Sequence, residues 1–465
     1  MLPFSAHIPF IASCDLVFTD PGPRLSSWFH HTGSAALTSG GGPKGSLAAR
    51  YSYLLAEPAA EAVLDYDDPA DAGQFLREAT AFVQPGDAVG LPPFTGGLLG
   101  VASFELGLRL ENMKRRPFRI EGRSTWPELM VRLYPGVLAF DHARQTLTAI
   151  GRGASPAEAE TARDRLVALF EATADRGALN APLADAPLRL ETPDGVHEDK
   201  VAALIRQIHA GDLFQANLAR GWAGRLRDGV TPGDVMAALH RSGPAPFGGF
   251  VSMGDRAIVS NSPERFIRLD GSGHMETKPI KGTRRRGNSE AEDAALAAEL
   301  QASAKDQAEN LMIVDLMRHD LSKVSEVGSV TVPALNALES YSNVHHLVST
   351  VTAQLTAGRT AADVLAATFP PGSISGAPKV QAMKVINEME AARGPYCGSL
   401  FFVDAGGAMD SNVLIRTLAL ERDEKQRWHF RAAAGGGIVA DSDPVDERVE
   451  TETKLSLIKR ILENG

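Results

Sequence analysis

Up to about Asp175, runs in which apolar and polar residues alternate ("ARYSYLLAE", "MVRLYPGVLAFD", "TLTAIG") trade places with runs whose apolar residues recur every three or four positions ("DAGQFLREATAFV", "AEAETARDRLVALFEATA"). Alternation predicts half-buried strands and the longer spacing predicts amphipathic helices, so sheet and helix are mixed in this part. The opening "MLPFSAHIPFIASCDLVF" reads as a buried first strand rather than a secretion signal, because no Lys or Arg precedes it and Asp15 interrupts it. From Arg176 to Glu191 the chain, "RGALNAPLADAPLRLE", is rich in Ala and Pro without periodicity and predicts a connection. The expected division is an N-terminal part, 1–175, a connecting segment, 176–199, and a C-terminal region, 200–465.

In that last region Val201, Leu204, Ile205 and Ile208 mark a helix that Gly211 stops. Strands around "FGGFVSM", "RAIVSN" and "RFIRLD" precede one long helix from Ser289 to about Lys323, and a further helix follows Pro378 and ends near Gly394. Strands "GSLFFVD", "NVLIRTLAL" and "WHFRAAA" then lead into a last helix from Pro444 onward. Strands and helices interleave without regular strand–helix–strand units, which predicts an α+β fold with antiparallel or mixed sheets and helices outside them.

Composition narrows the partner. With 57 acidic against 47 basic residues among 465, the net charge of −10 argues against nucleic acid, whose binders concentrate positive charge. A small molecule or another protein fits better. Cys14 and Cys397 are the two cysteines, too few for a disulfide framework or a four-cysteine zinc site, and they fit a reducing, cytoplasmic setting. No apolar run approaches the roughly 20 residues of a membrane-spanning helix, so no membrane partner is expected.

Several positions break the expected pattern. "GGGPKGS", Gly40 to Ser46, has the wrong residue order for a phosphate-binding loop and reads as a surface turn. In "AENLMIVDLMRHDL", Glu309 shares a helix face with Ile313 and Leu316, and in the last helix Glu447, Glu450 and Lys454 share a stripe with Leu457 and Ile461. Acids on apolar faces need partners. Glutamates from separate helices suit Mg²⁺, which takes oxygen ligands and completes its shell from substrate, although structural salt bridges would also satisfy them. Arg416 alternates with Leu414 and Leu418 in a strand pattern, where a buried guanidinium could grip a carboxylate or form an internal ion pair. Gly435 to Gly437 leave backbone N–H groups open to an anion, and "PPGSISGAPK" offers a similar turn with Pro378 at the first position of a helix. Lys281, in "KPIKGTRR", is either a surface charge or a nucleophile. Together these features describe a site for a small multi-carboxylate anion with Mg²⁺.

The stretches "GDLFQANLARG", "SNSPERF", "KPIKGTRRRG", "AENLMIVDLMRHDL", "YSNVHHLVSTV", "PPGSISGAPKVQAM", "GPYCGSLFFVD", "NVLIRT" and "GGGIVADSDPVDERVETETK" resemble, in order, the chorismate-utilising enzymes. In the N-terminal part the likeness rests on "YSYLLAEP" and "FTGGLLGVASFELG". The resemblance implies an α+β fold like that of anthranilate synthase component I: two large facing, mostly antiparallel sheets, intertwined, with helices outside and the site between. It implies Mg²⁺ on Glu309 and Glu450 with Glu447 nearby, and Gly435, Gly436, Gly437 and Lys454 on the ring carboxylate of chorismate. Tyr396 and Arg416 would take the enolpyruvyl carboxylate, and Gly282, Thr283 and His346 would line the ring.

Lys281 separates the branches of the family. Anthranilate-forming members resemble "PIAGTRPRG", with alanine in that place, whereas members that aminate C4 of chorismate resemble "PIKGT". Water-adding members would carry a lysine where Gln215 stands. The resemblance therefore implies amino-group transfer of the transaminase type from ammonia to C4, on the route to 4-aminobenzoate and folate. Lys281 would add at C2 while Glu264 helps the C4 hydroxyl leave, and its neutral form would be favoured by burial and by Arg284 to Arg286. An anthranilate synthase with an aberrant lysine and a non-catalytic chorismate-binding subunit are the alternatives. Neither cysteine has the setting of a glutaminase nucleophile, so ammonia is expected from a separate glutamine amidotransferase subunit.

Overall fold

The computed structural model describes residues 2, 4, 7–40, 50–84, 88, 90–179, 181–341 and 344–464. Two sheets, of 12 and 10 strands, carry the fold, and every described strand pair is antiparallel. The sheets face each other across an apolar layer in which Tyr53, Val251, Ile258 and Ala419 of the larger meet Leu99, Val101, Leu400 and Phe402 of the smaller. Helices Pro232–Ser242 and Pro444–Asn464 pack on the outer face of the larger sheet. Helices Ala304–Ser322, Ala361–Thr368 and Lys379–Met389 contribute to a separate apolar cluster with strands of the smaller sheet. No helix among the described residues is long and apolar enough to cross a membrane.

Both sheets draw on both ends of the chain. Ala35–Thr38 pairs with Phe247–Met253 in the larger sheet, and Gly97–Ala102 pairs with Ser399–Asp404 in the smaller. The run "MVRLYPGVLAFD" supplies a strand to each: Leu129–Tyr134 joins the smaller sheet and Gly136–Asp141 the larger. Only Pro135 stands between them, and a residue without an N–H cannot continue a ladder. The connecting stretch supplies a short strand, Arg189–Leu190, and the first turns of helix Asp194–His209.

Four expectations need correction. The first strand, Phe10–Leu16, is an edge strand paired with Thr146–Gly153, with Phe10 and Ile11 well exposed; burial is achieved by Phe4 and Ile8 ahead of it. The long helix is two helices, Glu290–Ala302 and Ala304–Ser322, because Ser303 is extended and its hydroxyl accepts from Asp306 N to cap the second. "NVLIRTLAL" is not one strand. Met409–Asn412 belongs to the smaller sheet and Thr417–Arg422 to the larger, so the chain crosses between them and Arg416 takes φ +51 at the crossing. Pro378 is the extended residue before helix Lys379–Met389 rather than its first turn. Residues 41–46 of the glycine-rich turn lie outside the described residues.

Candidate active site

The site begins with an irregularity in strand Ile280–Arg285, whose register against Val344–Gln354 shifts between Lys281 and Thr283. Gly282 makes this possible at φ +74, and a Cβ there would lie 2.8 Å from Leu300 Cδ1 and 2.9 Å from Asp306 Cγ. Lys281 is largely covered, and its Nζ lies 3.8 Å from Glu309 Oε2. Glu309 stands on the Ala304–Ser322 helix, which buries Ile313 and Leu316. Burial pushes the Glu309 carboxyl up and the charge of Lys281 opposes the shift.

From the other side come the glycines of strand Trp428–Ile438, paired with Asn217, Leu218 and Ala219. A Cβ on Gly436 would stand 2.5 Å from Glu447 Oε2 and 3.5 Å from Glu450 Oε2; one on Gly437 would stand 2.8 Å from Gln215 Nε2 and 2.9 Å from Lys281 Nζ. The missing side chains let acids of the C-terminal helix and the amine of Lys281 close on one stretch of backbone. Lys454 donates to Gly435 O at 2.8 Å and pairs with Glu450 at 2.6 Å. The buried residues of that helix are Glu447, Thr451, Leu455, Ile458, Ile461 and Leu462, whereas Lys454 and Leu457 are half-buried and Glu450 is exposed.

Glu264 completes this group. It is buried, which pushes its carboxyl up to about 7, while the nearby Ser373 hydroxyl and the charges of Lys281 and Lys454 act the other way. A second group forms around His346, whose Nδ1 lies 2.9 Å from Thr283 Oγ1. Burial, then the charge of Arg416, bring this imidazole down to about 4, so it is neutral at pH 7. Burial also pulls Arg416 below its usual value, with no carboxylate offsetting it among the described residues. The internal ion pair considered for it is thus not formed, and a covered guanidinium without a counter-charge favours an incoming anion. Tyr396 joins only through its neighbour Cys397, whose thiol senses the charge of Glu264. Tyr396 itself lines an adjoining cavity of about 360 Å³ with Glu390, Arg393 and Ala433.

The three arginines behind Lys281 do not serve it. Arg284, Arg285 and Arg286 turn to Glu299, Glu292 and Asp293 on helix Glu290–Ala302, so their charge is neutralised at the surface. A larger cavity, about 550 Å³, lies elsewhere and contains none of the site residues above. Two residues not counted among the site candidates belong with them. Gln215 is fully buried with both amide atoms unpartnered, and Ser373 lies close enough to Glu264 to favour its charged form. An amide at the start of a strand facing glycines was the available signal for the first; the second lies in "PPGSISGAPK", the serine- and glycine-rich turn already singled out as a possible anion site.

The acidic group suits a hard divalent cation. Glu447 is buried, its Oε1 accepts from Ser442 at 2.6 Å, and its Oε2 has no partner. Burial and the nearby charge of Glu450 push its carboxyl up. Among the described residues no three acidic, His or Cys side chains stand together where they could hold a metal ion, so Glu309, Glu447 and Glu450 are not gathered into one ligand set. Mg²⁺ needs no such set, since it is commonly held by one or two carboxylates with water and substrate oxygens.

Fold and site define a chorismate-binding enzyme. Residues 41–460 match the family described as chorismate binding enzyme, and the chain belongs to that family. It is 40% identical over 376 residues to aminodeoxychorismate synthase component 1 of Klebsiella aerogenes, covering 80% of this chain and 78% of that protein. It is 38% identical over 403 residues to the protein of the same name from Salmonella typhimurium (strain LT2), covering 86% and 83%. Its fold matches the crystal structure of anthranilate synthase component I from Streptococcus pneumoniae with a TM-score of 0.77 at 29% identity, over 89% of this chain and 93% of that one.

Proposed function

We propose that this chain is the large subunit, component I, of an aminodeoxychorismate synthase. It joins ammonia to C4 of chorismate, giving 4-amino-4-deoxychorismate for 4-aminobenzoate and folate synthesis in the cytoplasm. The carrying observation is Lys281: where anthranilate-forming relatives are expected to have alanine, an amine approaches Gly437 and Glu309 in the site. The names of the relatives support the same branch.

The ring carboxylate meets the backbone N–H groups of Gly435 to Gly437 and Lys454; Arg416 and Tyr396 take the enolpyruvyl carboxylate. Gly282, Thr283 and neutral His346 line the ring, where an uncharged imidazole avoids a competing cation beside Arg416. Neutral Lys281 adds through Nζ to C2 as both ring double bonds shift along and the C4–O bond breaks. Glu264, protonated because burial raises its carboxyl to about 7, gives the departing hydroxyl its proton, so water leaves. Ammonia then adds at C4, both double bonds shift back and the lysine is expelled from C2; the Glu264 carboxylate takes up the proton that the new ammonium gives off. Glu309, Glu447 and Glu450 would hold Mg²⁺, which supplies positive charge to the ring carboxylate.

Ammonia comes from a separate glutamine amidotransferase subunit, a reading supported by the "component 1" in the relatives' names. The test is the purified chain with chorismate, Mg²⁺ and an ammonium salt at alkaline pH, its product read by mass and fluorescence. The expected product is 4-amino-4-deoxychorismate. Anthranilate as the main product would overturn the assignment in favour of the activity named for the Streptococcus pneumoniae structure.

A further inference from the structure

Helix Ala304–Ser322 buries Ile313, Val314, Leu316, Met317 and Leu321, and among them an amide: Asn310, fully enclosed and next in sequence to Glu309. Apolar contacts are non-directional and let a helix slide or turn over a sheet at little cost. A buried amide does not, because each polar atom that loses its partner is left unsatisfied. Asn310 Nδ2 donates to Leu347 O at 3.1 Å, and its Oδ1 accepts from Ser349 Oγ at 2.7 Å. Both partners belong to strand Val344–Gln354. Ser349 is itself buried and fixed, since its N–H donates to Pro279 O at 3.1 Å and its Oγ accepts from Asn336 N at 3.0 Å.

Leu347 is the residue paired in register with Lys281, at the last position before the shift at Gly282. Two neighbouring residues of the helix therefore grip the two sides of one ladder position: Glu309 meets the Lys281 amine at 3.8 Å, and Asn310 bonds the carbonyl of Lys281's partner. Because the irregularity interrupts the ladder just beyond Lys281, the distance from amine to carboxylate depends on how the helix sits over the strand. Arg284 and Asp306, 3.6 Å apart, also join this helix to the Lys281 strand, but they form a partly exposed ion pair, which constrains the position weakly.

We propose that Asn310 is a positioning residue for the nucleophile: bonded to Leu347 O and Ser349 Oγ, it fixes the helical turn that carries Glu309 against the strand opposite Lys281, and so sets where the Lys281 amine stands. The inference rests on the reading of Lys281 as the group that adds at C2. Asn310 is enclosed and touches no substrate, so it acts through Lys281 and Glu309 alone. A polar residue at one core position fixes the register of packed elements in the same way when the contacts around it are apolar.

The experiment compares the parent with Asn310→Leu, a side chain of similar size without an amide, by turnover at saturating chorismate, by equilibrium binding of chorismate without ammonia, and by melting temperature. Turnover is expected to fall by about tenfold or more, the scale of a misplaced reacting group, while chorismate affinity stays at the parent's value. Arg416, Lys454 and the glycine backbone keep their places. A lower melting temperature with turnover of the folded enzyme at the parent rate marks a purely structural amide and overturns the inference. Parallel losses of turnover and affinity also overturn it, since they mark a site disturbed as a whole. If Asn310→Leu does not fold, Ser349→Ala replaces it, removing one of the amide's two partners; the same split is expected, and an unmoved turnover overturns. Parent-rate turnover by Lys281→Ala overturns the nucleophile reading itself and the inference with it.

Discussion

Lys281 and Glu309 reach each other from a strand and a helix, Nζ to Oε2 at 3.8 Å, and the missing side chain of Gly437 lets the same amine close on the facing strand. An amine so placed is covered, close to a carboxylate, and free of the arginines that follow it in sequence.

Lys281→Ala is expected to lower amination by about 10³-fold or more, the scale of losing a group that acts in the transition state. Chorismate binding should persist, because Arg416, Lys454 and the glycine backbone are untouched. Steady-state rates beside equilibrium binding of chorismate decide this; a variant at the parent rate shows that Lys281 is not the nucleophile.

Glu264 should mark the pH dependence of both stability and rate. Its folded carboxyl, raised to about 7 from 4.5, holds a proton that the unfolded chain has released, so its contribution is full below 4.5 and lost as pH rises through about 7. That span corresponds to at most about 3 kcal/mol. Denaturant melts of Glu264→Gln should therefore gain on the parent between pH 5 and pH 8, while its turnover is lost at both; a gap independent of pH would contradict the titration.

Removing charge from Glu447 has two expected effects of opposite sign. Without metal, Glu447→Gln should melt higher than the parent, because a buried oxygen without a partner is no longer charged. With Mg²⁺, affinity should fall by about tenfold or more, the lower end of what disturbing a metal's surroundings costs. Melting curves across a magnesium titration read both.

Gly437→Ala places a methyl 2.8 Å from the buried amide of Gln215 and 2.9 Å from the Lys281 amine. Lysine can retreat; the amide, enclosed, cannot do so freely. Amination should drop by at least about tenfold, a misplacement effect, with a small change in melting temperature. Retained activity would mean that the two groups do not work at that spot.

A pairing prediction follows from the cysteines. Cys397 is buried and its thiol is pushed up to about 12 by its surroundings, far from a reactive thiolate. The isolated chain should use ammonium salts and not glutamine, and Cys397→Ser should leave that preference unchanged. Glutamine-dependent turnover by the purified chain alone would refute a separate amidotransferase.

Local pattern revealed most elements but not where the chain changes sheet. Alternation reads identically in "MVRLYPGVLAFD" and "NVLIRTLAL" whether the residues stay in one sheet or cross to another, because a two-residue period reports burial and not the identity of the neighbour. That is why Arg416, at a crossing with φ +51, looked like a residue in mid-strand. The acids on apolar faces were legible because charge on such a face contradicts burial. Lys379 carried a comparable contradiction, a cation in a first turn, yet its partners Thr368, Pro370 and Asp320 lie up to 59 positions away and local spacing cannot find them.

The single proline between Leu129–Tyr134 and Gly136–Asp141 stitches one chain through both sheets. Cutting the N-terminal part away would strip Ala35–Thr38 from one exposed edge of Phe247–Met253 and Gly97–Ala102 from one edge of Ser399–Asp404. A fragment starting near residue 200 would then display two raw, apolar strand edges, each a template for adding a further strand from another molecule. Expressed alone, that half should collect in inclusion bodies, and it should be recovered in soluble form by co-expressing the missing half.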